Sequence, residues 1–571
     1  AFETRGAVRA VVVGRLVPTA ASQMPHALRD QLARQVYKVP DADVRVIVRD
    51  VGGGFGIKNS LYPEQVLVLW AARRLGRPVK WIGERTDAFL TDAHARDQVN
   101  RAELAVDADG RFLGLRVTTL ANIGAYVANK GLLSPVANSP ALVGPYLTAA
   151  VHVRVKGVFT HTVPTDVYRG AGRPEAVYLV ERLVDVAAAE LGIDRVELRR
   201  RNIIPPALLP YRTPIWLTYD SGDYAANLDA ALPAVDWAGF EARRSAARAA
   251  GKLRGIGLSC YVERCAGASH EDATVEIAPD GRATVLVGTM ANGQGHVTAY
   301  AQIVADMLGL DIAEVDVLQG DTDRVKKGQG TGGSRSLVMG GSAIHGAATK
   351  VIDKARMIAG HLLETADADI VFADGTFTVV GTDRRVSFKA VAAAAHDPGR
   401  LPDGMAPGLD AENQFKVPGY TYPNGCHVAE VEVDMETGRP KIVGYTIVHD
   451  FGRVLNPLLL AGQVHGGVAQ GLGQALLEHT VYDRDSGQLL SGSFMDYCIP
   501  RADDLPQFAF HMREDPAPAN PLGVKGAGEA GCAGAPPAVV NAVVDALSPF
   551  GIRHIDMPLT AEKLWRAIQG E

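Results

Sequence analysis

The chain is poor in the residues that would make it a self-sufficient redox protein. Its five cysteines, Cys260, Cys265, Cys426, Cys498 and Cys532, include no C-x-x-C spacing. Neither an iron–sulfur quartet nor a zinc set can be assembled from them, and reduced thiols of a cytoplasmic protein are the expectation. No apolar run is long enough to cross a bilayer, and the first residues lack a basic-plus-apolar leader pattern. Basic tracts and aromatic–basic interleaving are also missing, and the net charge is −6. Nucleic acid is therefore not an expected partner. What remains is a soluble globular composition, 47% hydrophobic and 21% charged. At 571 residues it is too long for one core, so two or more domains are expected. The sequence opens on Ala and Phe2 and runs at once into Val8–Val13, which raises the expectation that an upstream part is missing or is a separate polypeptide.

Glycine is what the chain has in excess. Its 61 glycines concentrate in stretches such as 52–56, 328–333, 462–473 and 523–534, read here as loops where backbone wraps a ligand. Three helices are predicted: one from Pro63 with Leu67, Trp70, Ala71 and Arg74 facing the core, one with Val177, Val180, Val184, Ala188 and Leu191, and one with Tyr300, Ile303, Val304, Met307 and Leu308. Gly76, Gly192 and Gly309 end them. A strand–turn–strand pattern with an acid and a glycine at the turn recurs at 103–111, 275–282 and 431–439, which is hairpin chemistry. A boundary between related α+β units is expected near 225–255, giving domains 1–235 and 236–571.

The most informative stretch is Gly523-Val-Lys-Gly-Ala-Gly-Glu-Ala-Gly531, a glycine-dense loop with a single carboxylate, Glu529. Pro536 and Pro537, followed by Val539, Val540, Val543, Val544 and Leu547, predict a helix that begins at the prolines. Gly526, Gly528 and Gly531 also match the dinucleotide spacing G-x-G-x-x-G. That reading needs a preceding strand and a helix opening inside the motif. The proline-rich segment 515–521 cannot be a central strand and the expected helix starts late, so the reading is rejected.

Five separated segments, taken together, resemble the molybdenum-binding large subunit of the xanthine dehydrogenase, aldehyde oxidase and carbon monoxide dehydrogenase family. They are Gly52-Gly-Gly-Phe-Gly-Ile-Lys58, Tyr168-Arg-Gly-Ala-Gly-Arg-Pro-Glu175, Gly293-Gln-Gly-His296, Gly330-Thr-Gly-Gly-Ser-Arg-Ser336 and Gly526-Ala-Gly-Glu-Ala-Gly531, and the stretch 494–506 is similar too. The resemblance covers essentially the whole chain. It implies an α+β fold of two elongated molybdopterin-binding domains with the cofactor between them. It also implies a molybdenum–pterin dithiolene, in bacteria usually the cytosine dinucleotide form, to which the protein contributes no direct metal ligand. [2Fe–2S] clusters and FAD would sit on partner subunits, in a dimer of heteromers, and a small molybdenum subunit would supply the family's missing N-terminal domain.

The same resemblance assigns residues. Glu529 matches the catalytic general base, and a carboxylate favoured by a helix dipole is the alternative. Gly54, Phe55 and Gly56 match the loop beside the metal's apical ligand; a tight turn after a strand at Val44–Val48 is the alternative. Gln294, with Gly293, Gly295 and His296, matches a pterin contact at a helix start. Thr331, Gly332, Ser334 and Ser336 resemble another cofactor loop whose hydroxyls and amides suit anionic oxygens. Gln463, Gly526, Ala527 and Gly528 complete the cofactor set, with Gln463 equally readable as a polar helix-start residue. Arg169 aligns with an arginine that contacts cofactor and places or polarises substrate, against a structural salt bridge. Arg199 matches weakly and can equally cap its segment.

Two departures narrow the activity. Tyr168-Arg169-Gly170 stands where copper-containing carbon monoxide dehydrogenases have Tyr-Arg-Cys, which argues against carbon monoxide oxidation. Asn59 stands where purine oxidisers carry a substrate-binding glutamate, which argues against xanthine. The expected reaction is oxidation of an aldehyde or hydroxylation of an aromatic N-heterocycle, with water as the oxygen source. The alternatives are a reductive member that dehydroxylates aromatic thioesters, and a cofactor-binding or assembly protein without turnover.

Overall fold

A computed structural model describes residues 2–12, 14–267 and 270–571. All three predicted hairpins form, each as an antiparallel pair: Gln98–Val106 with Phe112–Gly124, His270–Ile277 with Ala283–Val287, and Asn424–Asp434 with Pro440–Asp450. Each seeds a larger mixed sheet. Ala150–Phe159 joins the first in parallel, Val315–Leu318 joins the second, and Phe508–Arg513 joins the third. Lys252–Val262 closes the other edge of the third sheet. The result is α+β, with long helices laid on mixed sheets. Among the described residues no helix is long and apolar enough to cross a membrane.

Two helices organise the molecule. Ala530–Ala546 lies on the strands Lys252–Val262 and Asn424–Asp434, with nearly every residue buried. Arg173–Leu191 packs beside it and contributes Val177 to the same core. A second core joins Phe112, Tyr146 and Val184 to Ile256, Leu258 and Val428, so apolar side chains from both sides of position 235 interdigitate.

Several sequence expectations are corrected. The Pro63–Leu75 helix forms, but Leu67 and Trp70 face solvent at 60% and 53% exposure, while Gln65, Val68, Leu69 and Ala72 are buried. The segment from Val66 to Ala72 is apolar throughout. Two stripes one residue out of phase therefore fit the helical period equally well. Val44–Val48 is not a strand; Val44 and Ile47 make isolated bridges to Leu16, Thr19 and Asp321. The glycines of 462–473 lie inside the helix Pro457–Leu476, not in a loop.

The last long helix starts at Ala530, six residues before Pro536. Interior proline removes a helical hydrogen bond at a cost of about 3 kcal/mol, and here burial on two sides overrides it. The helix thus does open within the G-x-G-x-x-G spacing. A dinucleotide unit stays excluded, because no strand lies between Arg513 and the isolated bridge at Val524.

Candidate active site

Glu529 sits at the N-cap position of Ala530–Ala546, yet its side chain makes no capping hydrogen bond. Its carboxylate is turned to other elements. Oε1 accepts the Gly170 N–H at 2.8 Å. Oε2 accepts Arg173 Nη2 at 2.8 Å and the Ser334 hydroxyl at 2.9 Å. Burial pushes its proton affinity up, but the Arg173 guanidinium, the Gly170 amide, the Ser334 hydroxyl and Arg169 outweigh it. The net effect holds the carboxyl below the usual range, so it is an anion at neutral pH.

The loops around it are held in costly conformations. Phe55, Ala171 and Ser334 are non-glycine residues with φ of +56°, +40° and +53°. Each such residue costs on the order of 1 kcal/mol or more and persists only where its surroundings fix it. Three of them beside one carboxylate mark a preorganised site. Gly56 needs its glycine, since φ is +113° and a Cβ would lie 2.1 Å from the Val167 carbonyl oxygen.

Arg169 is committed to the protein. Its Nε donates to the Gly528 carbonyl at 2.5 Å, Nη1 to Gln470 at 3.1 Å, and Nη2 to the Gln463 carbonyl at 2.9 Å. Its backbone N–H donates to the Phe55 carbonyl at 2.9 Å, and its guanidinium lies 5.5 Å from the Phe55 ring. It forms no ion pair with a carboxylate, although its charge acts on Glu529, and all three nitrogens donate within the protein. It ties the Phe55 loop, the Glu529 loop and the helix Pro457–Leu476 together, and Gln463 enters through that tie.

The other expected residues divide. Ser334 points at Glu529, whereas the Thr331 and Ser336 hydroxyls bond each other at 2.8 Å, and Thr331 also accepts the Met290 N–H. Those two hydroxyls stabilise their own loop. Gly332 lies near Asn59, Gly526 packs on Ser334 and Cys265, and Gly528 approaches the Ser334 hydroxyl; Ala527 is half-buried between them. Asn59 is buried, and its side-chain oxygen accepts the Lys130 ammonium at 3.5 Å. Arg199 lies outside the site, buried against Glu181 at 2.9 Å and Asp185 at 2.7 Å.

Sequence reasoning missed three residues. Gln23 accepts the Gly56 N–H at 2.9 Å and donates to the Thr331 carbonyl at 3.2 Å, joining two loops, the second 308 positions from Gln23 itself. Nothing in its local sequence signals that. Arg173 carried a signal that went unused. A cation at the first position of a helix opposes the dipole, so it needs a strong anionic partner. Glu263, which follows the strand Lys252–Val262, has no local signature.

The loop at 293–296 suits a polar or anionic cofactor group. Gly293 has φ of +101° and open space where a Cβ would stand. Gly295 is the N-cap of His296–Leu308, presenting that helix start. Beside it, Asn292 Oδ1 is buried without a hydrogen-bond partner, which a bound polar group would supply, and His296 lies against the Gln319 side chain. Gln294 caps this loop through the Asn292 N–H. His296 is neutral, because burial pushes it down to about 4.

Two molybdopterin cofactor-binding domain models match residues 1–203 and 230–506. The carbon monoxide dehydrogenase large chain of Hydrogenophaga pseudoflava is 38% identical over 100% of this chain and 73% of its own length. The nicotine 6-hydroxylase large subunit of Paenarthrobacter nicotinovorans is 35% identical over 100% and 72%. Quinoline 2-oxidoreductase from Pseudomonas putida 86 superposes with a TM-score of 0.96 at 37% identity, covering 100% of this chain and 74% of that one. Glycine loops converging on one buried glutamate, two cofactor-domain matches and full-length relatives make this chain a member of the xanthine dehydrogenase family, the molybdopterin-binding large subunit of a molybdenum hydroxylase.

Proposed function

We propose that this subunit hydroxylates an aromatic N-heterocycle beside its nitrogen or oxidises an aldehyde, with oxygen taken from water. The observation that carries the reading is Glu529, an anionic carboxylate fixed by Gly170, Arg173 and Ser334 at the meeting point of the cofactor loops. A base there accepts the proton of the attacking hydroxyl, a contribution of about 10²–10⁴-fold. When bound, the molybdenum–pterin group supplies the two-electron oxidant. Gln23 and Arg169 keep the loops in register, and the strained Phe55 backbone presents its loop to the group. The names of the quinoline and nicotine relatives favour the heterocycle branch.

The pterin is proposed to be the cytosine dinucleotide form, held between units 1–235 and 236–571. Partner chains carry [2Fe–2S] clusters and FAD, with a small molybdenum subunit completing the assembly, a dimer of heteromers in the cytoplasm. The test is to purify the native complex, identify its subunits, and measure molybdenum, iron, flavin and nucleotide content. Dye reduction is then assayed on quinoline, nicotine and aldehyde panels. Turnover of an N-heterocycle or aldehyde with ¹⁸O incorporated from water is expected; an assembly without molybdenum and pterin overturns the proposal.

A further inference from the structure

Behind Glu529 stands a second carboxylate. The Glu263 side chain is 0% exposed, and its Oε2 is buried without a hydrogen-bond partner. Arg173 Nη2 donates to both acids, at 2.8 Å to Glu529 Oε2 and at 3.3 Å to Glu263 Oε1. One cation therefore serves two carboxylates in a dry interior. Two anions sharing it repel each other, which favours a proton on the more deeply buried acid. The acids compete unequally. Glu529 has the amide of Gly170 and the hydroxyl of Ser334 besides the shorter guanidinium contact. Glu263 has the longer contacts to Arg173 and the weak thiol donor of Cys265.

We propose that Glu263 and Arg173 are positioning residues for the catalytic base: the two carboxylates hold one proton between them, and it rests on Glu263. Arg173 then directs its whole charge to Glu529 and keeps it ionised. During turnover Glu529 gains a proton from the attacking hydroxyl and returns it to water, while Glu263 keeps its own, so the trio ends as it began. The surrounding groups leave this balance intact. Arg169 and Arg264 are the other cations nearby, and Arg264 lies over the Tyr420 ring at 5.1 Å. The thiols of Cys265 and Cys532 and the Tyr261 hydroxyl face the pair too, and burial pushes all three up, so they stay neutral. Burial likewise pushes Glu263 up, against Arg173 and with the help of Glu529, to about 8.

This inference rests on Glu529 as the base, but its test needs neither substrate nor turnover. Infrared difference spectra of the intact holoenzyme are recorded across pH. A buried carboxylic-acid C=O band that disappears as the pH passes through about 8 is expected, and Glu263→Gln abolishes it. In Glu529→Gln the neighbouring anion is gone, so the band persists but titrates at least about one pH unit lower, a tenfold loss of proton affinity. A purely structural Arg173–Glu263 ion pair gives no such band at neutral pH, and that outcome overturns the proposal. So does an unshifted midpoint in Glu529→Gln, which decides the matter even if Glu263→Gln does not fold. Molybdenum content and dye reduction on the same samples report separately on the functional reading.

Discussion

Position 170 bears directly on which branch of the family's chemistry the site can accept. Gly170 has φ of +101°, and a Cβ there would lie 2.3 Å from Pro174 Cγ. The thiol of a copper-binding relative therefore cannot be added without rebuilding the loop. Gly170→Cys is expected to lose activity through displacement of the N–H that holds Glu529, and to gain no carbon monoxide oxidation; CO-dependent dye reduction after copper reconstitution would contradict this. Glu529→Gln is the complementary change. It keeps the shape but turns one accepting oxygen into a donor and removes the base, so molybdenum content should stay constant while kcat falls about 10²–10⁴-fold. The pH dependence follows from the lowered proton affinity of Glu529. A carboxyl held below its ordinary 4.5 is ionised above that value, and its function is lost only as pH falls through the lowered one. The kcat/KM profile should show no acid limb between about pH 5 and 7; a limb near 6 would assign the base to another group.

The element that positions Glu529 is the helix Ala530–Ala546, and glycines set how closely its neighbours approach. A Cβ on Gly467 would lie 3.0 Å from the Cys532 nitrogen, and one on Gly471 would lie 2.7 Å from the Ala535 Cβ. On the opposite side, a Cβ on Gly257 would meet the Ala542 nitrogen at 2.2 Å. Overpacking costs about 1–3 kcal/mol, relieved by shifting the helix and so its first residue. Gly467→Val should lower both Tm and kcat, whereas Ala246→Val on the exposed face of Phe240–Ala249 should leave both within error. This seam explains what the sequence disclosed and what it hid. The hairpins were legible because acid–glycine turns announce themselves locally, and Glu529 because a lone acid in a glycine run is conspicuous. The helix start was hidden by Pro536 and Pro537, whose local preference lost to burial from two sides. The Pro63–Leu75 face was hidden because both stripes are apolar. Gln23 and Glu263 were illegible for a different reason. Their roles come from partners 33 and 90 positions away, at Gly56 and Arg173, which local pattern does not encode.

At the scale of the whole molecule, the site is a seam between early and late parts of the chain. Gln23 reaches Thr331, Gly170 reaches Glu529, Arg45 pairs with Asp321 at 2.6 Å, and Arg195 pairs with Asp545 at 2.5 Å. Gln23→Ala should loosen this seam by about 1 kcal/mol, the loss of the hydrogen bonds to the half-buried Gly56 N–H and the Thr331 carbonyl, read as a lower urea midpoint with unchanged slope. Gly293 and Gly295 in the loop 293–296 and Gly333 in the loop 331–336 have positive φ, and Asn292 Oδ1 beside the first loop is buried without a partner. A group that binds the folded state alone stabilises it by about 4 kcal/mol when its concentration is 1,000 times its Kd. Cofactor-free protein, prepared from a host unable to make the pterin, should therefore unfold at a lower temperature than the loaded form. Limited proteolysis should then cut first within 328–336 and 523–529, because those loops lose contacts that the sheets and long helices keep. Equal Tm values and identical cleavage patterns for loaded and cofactor-free protein would mean the loops hold their shape unaided, and the strain at Phe55 and Ser334 would then need another cause.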